Sequence, residues 1–236
     1  MTVIKSKIIT VQQNSLKDIP VRILSIDIGG TGVKLLATGE TERRRFDSGP
    51  TMTPEIMVAG VKKLAEDWKY DVVSIGYPGP VRNNQPIGEP HNLASGWIGF
   101  DFEVAFGRPV KMINDAAMQA FGSYKGGSML YLGLGTGLGS ALVVDGTVVP
   151  LELAHLAIGK RTFEDDLGLR GLERLGRKKW EIRVHAVTAR FVSALILDEV
   201  VFGGGNSKKL KRLPDRCRLG DNANALLGGF LLWEKK

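Results

Sequence analysis

The chain has 236 residues, 43% of them hydrophobic, so it is long enough for one large domain or for two smaller lobes with buried cores. Its 32 Lys and Arg residues exceed its 25 Asp and Glu residues, and the resulting charge of +7 suits a polyphosphate, a phosphorylated metabolite, a nucleic acid or an acidic membrane, although an uncommitted solvated surface explains it equally well. Because Cys217 is the only cysteine, the composition excludes an intrachain disulfide and a multi-cysteine metal site.

The first twenty residues predict an irregular or edge-strand leader. They carry polar residues every few positions and lack the apolar core of a signal peptide. No apolar run in the sequence approaches the ~20 residues that a membrane span needs. We therefore expect a cytoplasmic protein.

The next part of the chain predicts a hairpin followed by a helix and a further strand. RILSIDIG (22–29) is a buried strand that stops at Gly29-Gly30, and VKLLAT (33–38) pairs with it across a glycine turn. Residues 40–48 predict a third, more exposed strand. A helix begins after Thr53, with Pro54 in its first turn, and is expected to end near Trp68. A strand at 72–76 and a long functional loop at 83–106 follow.

The same succession of elements occurs again in the second half. The predicted elements are a strand at 110–113, a helix at 116–124, strands at 129–134 and 139–144, a tight turn into a third strand at Asp145-Gly146, a helix at 177–197, a strand at 199–202 and a closing helix at 222–233. This duplication predicts an α/β protein with two similar lobes around a cleft.

Two glycine-rich turns are the first candidate sites. One is Asp27-Ile28-Gly29-Gly30-Thr31-Gly32, and the other is the run from Gly133 to Gly139 that contains Gly135-Thr136-Gly137. Glycines allow backbone N–H groups to come close to phosphate oxygens, and the Asp27 carboxylate is suited to Mg²⁺, directly or through water. Neither a GxGxxG fingerprint nor a GxxxxGK[ST] loop is present, so the pair indicates phosphate binding of another kind.

Asn114-Asp115 lies where a strand ends and a helix begins. A carboxylate at this position is suited to accept a proton from a substrate hydroxyl, which typically contributes ~10²–10⁴ in rate. Asp115 is equally suited to cap its helix, and the sequence does not separate the two roles.

Two further groups of residues lie in the second half. Glu152, His155 and Glu164 follow an apolar strand and are suited to hydrogen-bond sugar hydroxyls, although single Glu and His residues are usually structural or solvated. Gly203-Gly204-Gly205 follows a strand and precedes a basic run that starts at Lys208, which suits a nucleotide or phosphate chain as well as a plain turn beside a solvated patch.

The ordered motifs resemble those of the ROK (repressor, ORF, kinase) sugar kinases. IDIGGTGVK, IGYPGPV, NDA, LGLGTGLGSALVVDG, ELAHL and FGGGNSKK occur in the family's order between Ile23 and Phe230. Within the family, GWIG (96–99), LVVDGTVVPLELAHL, Glu164-Asp165 and GGGNSKK are most similar to the polyphosphate glucokinases.

The resemblance implies an actin-like ATPase (ribonuclease H-like) fold and a cytoplasmic homodimer that acts in glycolysis. Residues 1–113 would form the N-terminal lobe, with the closing helix at about 221–236 packed back on it, and residues 114–220 the C-terminal lobe. Asp115 would be the general base for the 6-hydroxyl of glucose. The donor, ATP or polyphosphate with Mg²⁺ held by Asp27 through water, would bind at Asp27, Gly29, Gly30, Thr31, Gly32, Lys34, Gly135, Thr136, Gly137, Gly203, Gly204, Gly205 and Lys208. The sugar would bind at Gly79, Asn92, Asn114, Asp115, Glu152, His155 and Glu164.

Departures from the family pattern keep alternatives open. The stretch LAIGKRTFEDDLG lacks the cysteines of the family's zinc motif, so we expect no zinc, and Ala154 replaces the usual glycine before the histidine. The segment 165–198 looks shortened, and the residues before Ile23 are too few for the helix-turn-helix of ROK repressors. The alternatives are an ATP-only hexokinase for another hexose or an amino sugar, and a non-catalytic sugar sensor. A nucleic-acid-binding protein is a third alternative that rests on charge alone, because the sequence contains no recognised nucleic-acid-binding motif.

Overall fold

The computed structural model describes residues 21–221 and 223–234, so the predicted irregular or edge-strand leader lies outside the described residues. These residues divide into two compact units, one comprising residues 21–112 and 229–234 and the other residues 113–221 and 223–228. Whether the units are the predicted domains, 1–113 with 221–236 and 114–220, stays a prediction. Among the described helices, none combines the length and the apolar composition that a membrane crossing requires.

The first unit is built on a mixed five-stranded sheet with the order β3-β2-β1-β4-β7. β1, β2 and β3 are antiparallel neighbours, whereas β4 runs parallel to β1. β1 and β4 are buried along their whole length, as expected of strands that are covered on both faces. The elements are β1 (Ile23–Ile28), β2 (Val33–Ala37), β3 (Arg44–Phe46), α1 (Pro54–Leu64), β4 (Val72–Tyr77), β5 (Val81–Arg82), β6 (Gln85–Pro86), α2 (Phe102–Phe106) and β7 (Val110–Asn114).

Helix α1 begins as predicted but ends earlier than predicted. The Thr53 hydroxyl accepts a hydrogen bond from the N–H of Ile56, and Pro54 occupies the first turn. The helix ends at Leu64 because Arg44 of β3 donates to the carbonyl oxygen of Leu64, binds Asp67 and stacks over Trp68 with its guanidinium carbon 4.0 Å from the ring centre. These contacts hold Trp68 in the core instead of on the helix.

The predicted loop over residues 83–106 contains two short elements, so that prediction was wrong in part. β6 pairs with β5, and α2 occupies the last five residues of the range. The Asp101 carboxylate caps α2 by accepting from the N–H of Val104 at 2.9 Å, and Phe102 and Phe106 are buried. Gly107 ends the helix in the left-handed conformation, with φ of 64°.

The second unit repeats the sheet of the first, with the order β10-β9-β8-β13-β14. β8, β9 and β10 are antiparallel neighbours, and β13 runs parallel to both β8 and β14, so the predicted duplication is confirmed. The elements are α3 (Asp115–Ser123), β8 (Ser128–Leu134), β9 (Leu138–Val144), β10 (Thr147–Leu151), a 3₁₀ helix (Leu153–His155), β11 (Ala157–Ile158), β12 (Arg161–Thr162), α4 (Phe163–Leu167), α5 (Leu169–Leu195), β13 (Glu199–Gly203), a second 3₁₀ helix (Gly205–Lys209), β14 (Cys217–Leu219) and α6 (Asn224–Leu231).

Helix α5 differs from the predicted helix at its start. The prediction began at residue 177, whereas α5 begins at Leu169 and is interrupted at Gly176, where φ is 71° and ψ is 155°. The buried Asp166 carboxylate binds Arg174 before the interruption at 2.6 Å and Arg183 after it at 3.4 Å. This shared partner joins the two helical segments.

Candidate functional site

The first glycine turn is closed by its own backbone. The N–H of Gly29 donates to the carbonyl oxygen of Gly32 at 3.0 Å, and the Ser48 hydroxyl donates to the carbonyl oxygen of Gly29. A Cβ on Gly30 would stand 3.1 Å from the Cβ of the exposed Asn92. Gly30 and Asn92 are therefore in close contact, and the turn lies beside one of the predicted sugar-binding residues.

Asp27 stands next to this turn in a row of charged residues across three strands. It faces Lys34 on β2, which in turn faces Arg45 on β3. Lys34 Nζ donates to Asp27 Oδ2 at 2.9 Å, and the Asp27 side chain is only 12% exposed. Arg45 was missed by the sequence analysis, although the hairpin register predicts its place. A Cβ on Gly32 would stand 2.9 Å from Arg45 Nη2, so this cation lies against the turn.

The second glycine turn is contacted by two other parts of its unit. The N–H of Gly135 donates to the carbonyl oxygen of Gly137 at 3.1 Å, and Asn206 Nδ2 donates to the carbonyl oxygen of Gly135 at 2.9 Å. A Cβ on Gly137 would stand 2.6 Å from Glu164 Oε2. The N–H of Leu169 donates to the carbonyl oxygen of Thr136 at 3.2 Å.

The glycine run 203–205 reaches this turn because β13 pairs with β8. Gly203 faces Gly133 in that register, and Gly204, with φ of 76°, lies against Leu134. Asn206, which the motif GGGNSKK contains but to which no separate role was assigned, is buried and ties the run to the turn. The structure therefore brings together Gly135–Gly137, the run 203–205 and Glu164.

Asn114 and Asp115 divide two tasks at the start of α3. Asn114 is the N-cap, because its Oδ1 accepts from the N–H of Ala117 at 3.1 Å. The alternative that Asp115 caps the helix is therefore wrong: Asp115 is the first helical residue, and its Oδ1 accepts from the N–H of Ala116 at 2.7 Å. Asp115 is half-buried and lies at the N-terminus of the helix, where a negative charge is favoured.

Glu152 and His155 flank a short 3₁₀ helix. His155 Nε2 lies 3.8 Å from Glu152 Oε2, and both side chains are largely exposed, whereas Ala154 between them is buried. The N–H of Phe163 donates to the carbonyl oxygen of Leu156 at 3.0 Å, which places this helix beside α4, the helix that carries Glu164. The three acidic and basic side chains predicted to bind sugar thus lie on adjoining elements.

Helix α4 fixes the place of Glu164. Thr162 and Asp165 form a capping box, with the Thr162 hydroxyl accepting from the N–H of Asp165 and the Asp165 carboxylate accepting from the N–H of Thr162 at 3.1 Å. The hydrogen bond from the Thr162 N–H is the largest cause that lowers the pKa of Asp165. Glu164 Oε1 accepts from Arg170 Nη2 at 2.7 Å. Arg170 lies six positions after its partner and was not predicted from the sequence as a site residue.

In the first unit, Gly79 lies against the aromatic ring of Tyr77, and Asn92 lies on the segment between Gly88 and Trp97. A Cβ on Gly79 would stand 2.8 Å from Cε1 of Tyr77, so only glycine fits against this ring. Burial raises the pKa of Tyr77, whose hydroxyl donates to the carbonyl oxygen of Gly88 at 2.9 Å. Trp97 is fully buried with its ring centre 5.5 Å from that of Tyr77, and its backbone N–H donates to Glu89 Oε2 at 3.1 Å, so the segment that carries Asn92 is held at both ends.

The basic run at 208–212 is anchored on α5. The backbone N–H groups of Lys211 and Arg212 both donate to Glu181 Oε1, at 2.8 and 2.9 Å. The pKa of Glu181 is lowered, chiefly by the hydrogen bond from Arg212, and the charge of Arg177 contributes to the same direction. The cations of both segments are exposed. They are Lys208, Lys209, Lys211, Arg212, Arg177, Lys178 and Lys179, here named the basic surface.

The acidic side chains of the described residues do not form a metal site by themselves. Within residues 21–221 and 223–234, no group of three or more His, Cys, Asp or Glu side chains is arranged to hold a metal ion. The Asp27 carboxylate forms an ion pair with Lys34, so it offers a metal ion only one acidic group, and that group is already paired. Such a group fits Mg²⁺ that is carried mainly by donor phosphates and water.

Known proteins resemble this chain in sequence and in structure. The family model described as the ROK family matches residues 23–150. A polyphosphate glucokinase of Mycobacterium tuberculosis is 29% identical over 208 residues, which cover 78% of this chain and 77% of that protein. The inorganic polyphosphate/ATP-glucomannokinase of Arthrobacter sp. strain KM superposes with a TM-score of 0.76 at 24% identity, over 90% of this chain and 98% of that one.

A third relative has the same architecture at lower identity. The ROK family glucokinase of Streptomyces griseus, solved in complex with glucose and AMPPNP, superposes with a TM-score of 0.73 at 17% identity, over 89% of this chain and 98% of that one. With two five-stranded sheets of the same order, these likenesses confirm the expected mixed α/β, actin-like ATPase fold.

Proposed function

We propose, from the premise that this chain belongs to the ROK family, that it is a sugar kinase that transfers a phosphoryl group to the 6-hydroxyl of glucose from polyphosphate or ATP. The polyphosphate glucokinase of Mycobacterium tuberculosis supports the choice of glucose and of the donor. The geometry of the second unit supports the chemistry.

The observation that carries the proposal is the meeting of three motifs at one turn. Gly135–Gly137 is held by Asn206 from the glycine run after β13, and Glu164 lies against Gly137. A glycine turn with close-lying backbone is suited to a phosphate, and an adjacent carboxylate is suited to a sugar hydroxyl. Phosphoryl transfer depends mainly on such positioning and on charge neutralisation.

In the proposed reaction Asp115 is the general base. Its carboxylate accepts the proton of the 6-hydroxyl while the hydroxyl oxygen forms a bond to the terminal phosphorus of the donor. The bond from that phosphorus to its bridging oxygen breaks, and the electron pair leaves with the shortened phosphate chain or with ADP. Asn114, Glu152, His155 and Glu164 orient the sugar by hydrogen bonds, and Asn92 and Gly79 keep their proposed sugar-binding roles in the first unit.

The donor phosphates are assigned to the two glycine turns. Thr31, Lys34 and Thr136 add polar or positive groups to the backbone N–H groups of the turns, and Lys208 extends the site toward the basic surface. Mg²⁺ bound to the donor supplies neutralisation of phosphate charge, and Asp27 is the residue that would hold it, through water. Lys34, 2.9 Å from Asp27, keeps the net charge of this pair near zero beside an anionic ligand.

The basic surface favours polyphosphate over ATP as the preferred donor. The Glu181 carboxylate accepts hydrogen bonds from the backbone N–H groups of Lys211 and Arg212 and not from their side chains. The exposed cations of the basic surface therefore stay available to a long anion. Binding that rests on exposed charges weakens as salt screens them. ATP lacks a tail that reaches beyond the reaction centre.

The deciding experiment supplies the purified protein with glucose and, side by side, ATP or long-chain polyphosphate with Mg²⁺. We expect turnover with both and a lower KM for polyphosphate, which rises steeply between low and high salt, while the KM for ATP rises less. Turnover with ATP and none with polyphosphate would reject the polyphosphate assignment and leave an ATP-only ROK hexokinase. A panel with mannose and amino sugars tests the choice of glucose.

A further inference from the structure

Glu164 creates an electrostatic problem at the second glycine turn. A Cβ on Gly137 would stand 2.6 Å from Glu164 Oε2, so the carboxylate lies directly against a turn that we assign to phosphate. Its side chain is 28% exposed, so water screens its charge only in part. An uncompensated negative charge at this place would repel the donor that the turn has to bind.

Arg170 is placed to remove this repulsion. Its Nη2 donates to Glu164 Oε1 at 2.7 Å, and its Nη1 lies 3.6 Å from Asp165 Oδ1. Asp165 is already engaged in the capping box with Thr162, whereas Glu164 has its second oxygen turned toward Gly137. The Glu164 carboxylate therefore lies between the Arg170 guanidinium and the turn.

The position of Arg170 is not explained by the stability of its helix. It lies in the first turn of α5, where the helix dipole disfavours a positive charge, and its side chain is 68% exposed. Ion pairs with such exposure contribute little to folding stability. A contribution to ligand binding accounts for the pair better than a contribution to the fold.

We propose that Arg170 is a positioning residue of the phosphoryl-transfer site, which holds the Glu164 carboxylate for the sugar and offsets its charge beside the phosphate-binding turn. This inference rests on the proposed function. It predicts that Arg170 acts on the donor through Glu164 and makes no essential contact with the donor itself.

The test is a double-mutant cycle with steady-state kinetics. Arg170→Gln is expected to raise the KM for the donor and for glucose about tenfold, with a smaller change in kcat, and Arg170→Lys is expected to restore part of the loss. Glu164→Gln is expected to raise the KM for glucose without raising that for the donor. In the Glu164→Gln/Arg170→Gln double variant the KM for the donor returns to that of Glu164→Gln, because no charge is left to offset.

Arg190→Gln, an exposed arginine on the same helix, is the matched control and is expected to keep wild-type constants. Thermal unfolding of each variant identifies a folding defect, and in that case Arg170→Lys carries the comparison. Wild-type constants in Arg170→Gln overturn the inference, and so does a double variant whose donor KM stays high, since Arg170 then acts on the donor directly. A wild-type protein without kinase activity instead refutes the proposed function.

Discussion

At the residue scale, the neighbours Asn114 and Asp115 have different roles at the start of α3. Both side chains accept hydrogen bonds from N–H groups of the first turn of α3, but Asn114 holds the cap and Asp115 the first helical position. The side-chain amide of asparagine cannot replace a carboxylate as a proton acceptor in catalysis. Its oxygen does, however, replace a carboxylate oxygen as a hydrogen-bond acceptor. Replacing Asp115 by asparagine therefore removes the proposed general base while keeping an acceptor for the N–H of Ala116.

Asp115→Asn is expected to lower kcat about 10²–10⁴-fold while glucose binding, measured by calorimetry, changes little. The matched control is Asp145→Asn in the exposed turn between β9 and β10, where φ is 48° and asparagine is well tolerated. We expect this control to keep wild-type activity. Unchanged turnover in Asp115→Asn refutes the role of general base and favours the non-catalytic alternative.

At the scale of elements, α3 and α6 pack so closely that glycine is required on both. A Cβ on Gly122 would stand 1.9 Å from the carbonyl oxygen of Asn224, and a Cβ on Gly228 would stand 1.8 Å from the carbonyl oxygen of Met118. Because the clashing atoms belong to the backbone, no side-chain rotation relieves them. The two helices must move apart to accept even one methyl group.

Gly122→Ala is therefore expected to destabilise the protein by roughly 1–3 kcal/mol, although alanine favours a helix over glycine by about 1 kcal/mol. Urea unfolding measures the change. Gly205→Ala is the control for stability, because no heavy atom lies within 4 Å of the added Cβ. An equally stable or more stable Gly122→Ala protein would show that the two helices pack less tightly than described.

At the scale of the whole molecule, the end of the chain completes the first unit. The Ser74 hydroxyl on β4 donates to the carbonyl oxygen of Gly229 and accepts from Trp233 Nε1 at 2.9 Å. Lys111 Nζ donates to the carbonyl oxygen of Leu232 at 2.7 Å and lies 4.4 Å from the centre of the Trp233 ring. This unit is thus assembled from two segments that are distant in sequence.

Trp233→Phe removes one hydrogen bond and is expected to lower the free energy of unfolding by about 1 kcal/mol, whereas Trp233→Ala also removes the packed ring and is expected to lower it by about 3 kcal/mol. Hydrogen exchange should then show faster opening of β4, while β8 keeps its protection. Wild-type stability in Trp233→Ala would mean that the segment 229–234 does not support the first unit.

The local elements were predictable because their signals are local. Runs rich in Ile, Leu and Val predicted β1 and β4, Thr53-Pro54 predicted the start of α1, and the repeated succession of elements predicted two similar lobes. The end of α1 was not predictable, because it depends on Arg44, which lies on β3. Likewise α2 was missed, because its burial of Phe102 and Phe106 outweighs the turn-forming composition of the preceding residues.

The candidate site divides in the same way. The sequence by itself determined the residue types and their order: two glycine turns, Asp115 at a strand-to-helix boundary, and the family to which the chain belongs. Only the tertiary structure decided that Asn114 takes the cap, that Asn206 ties two distant glycine segments together, and that Arg170 pairs with Glu164. Hydrogen bonds and ion pairs act over about 3 Å in space, and distances of that kind between separate elements are set by packing and not by spacing along the chain.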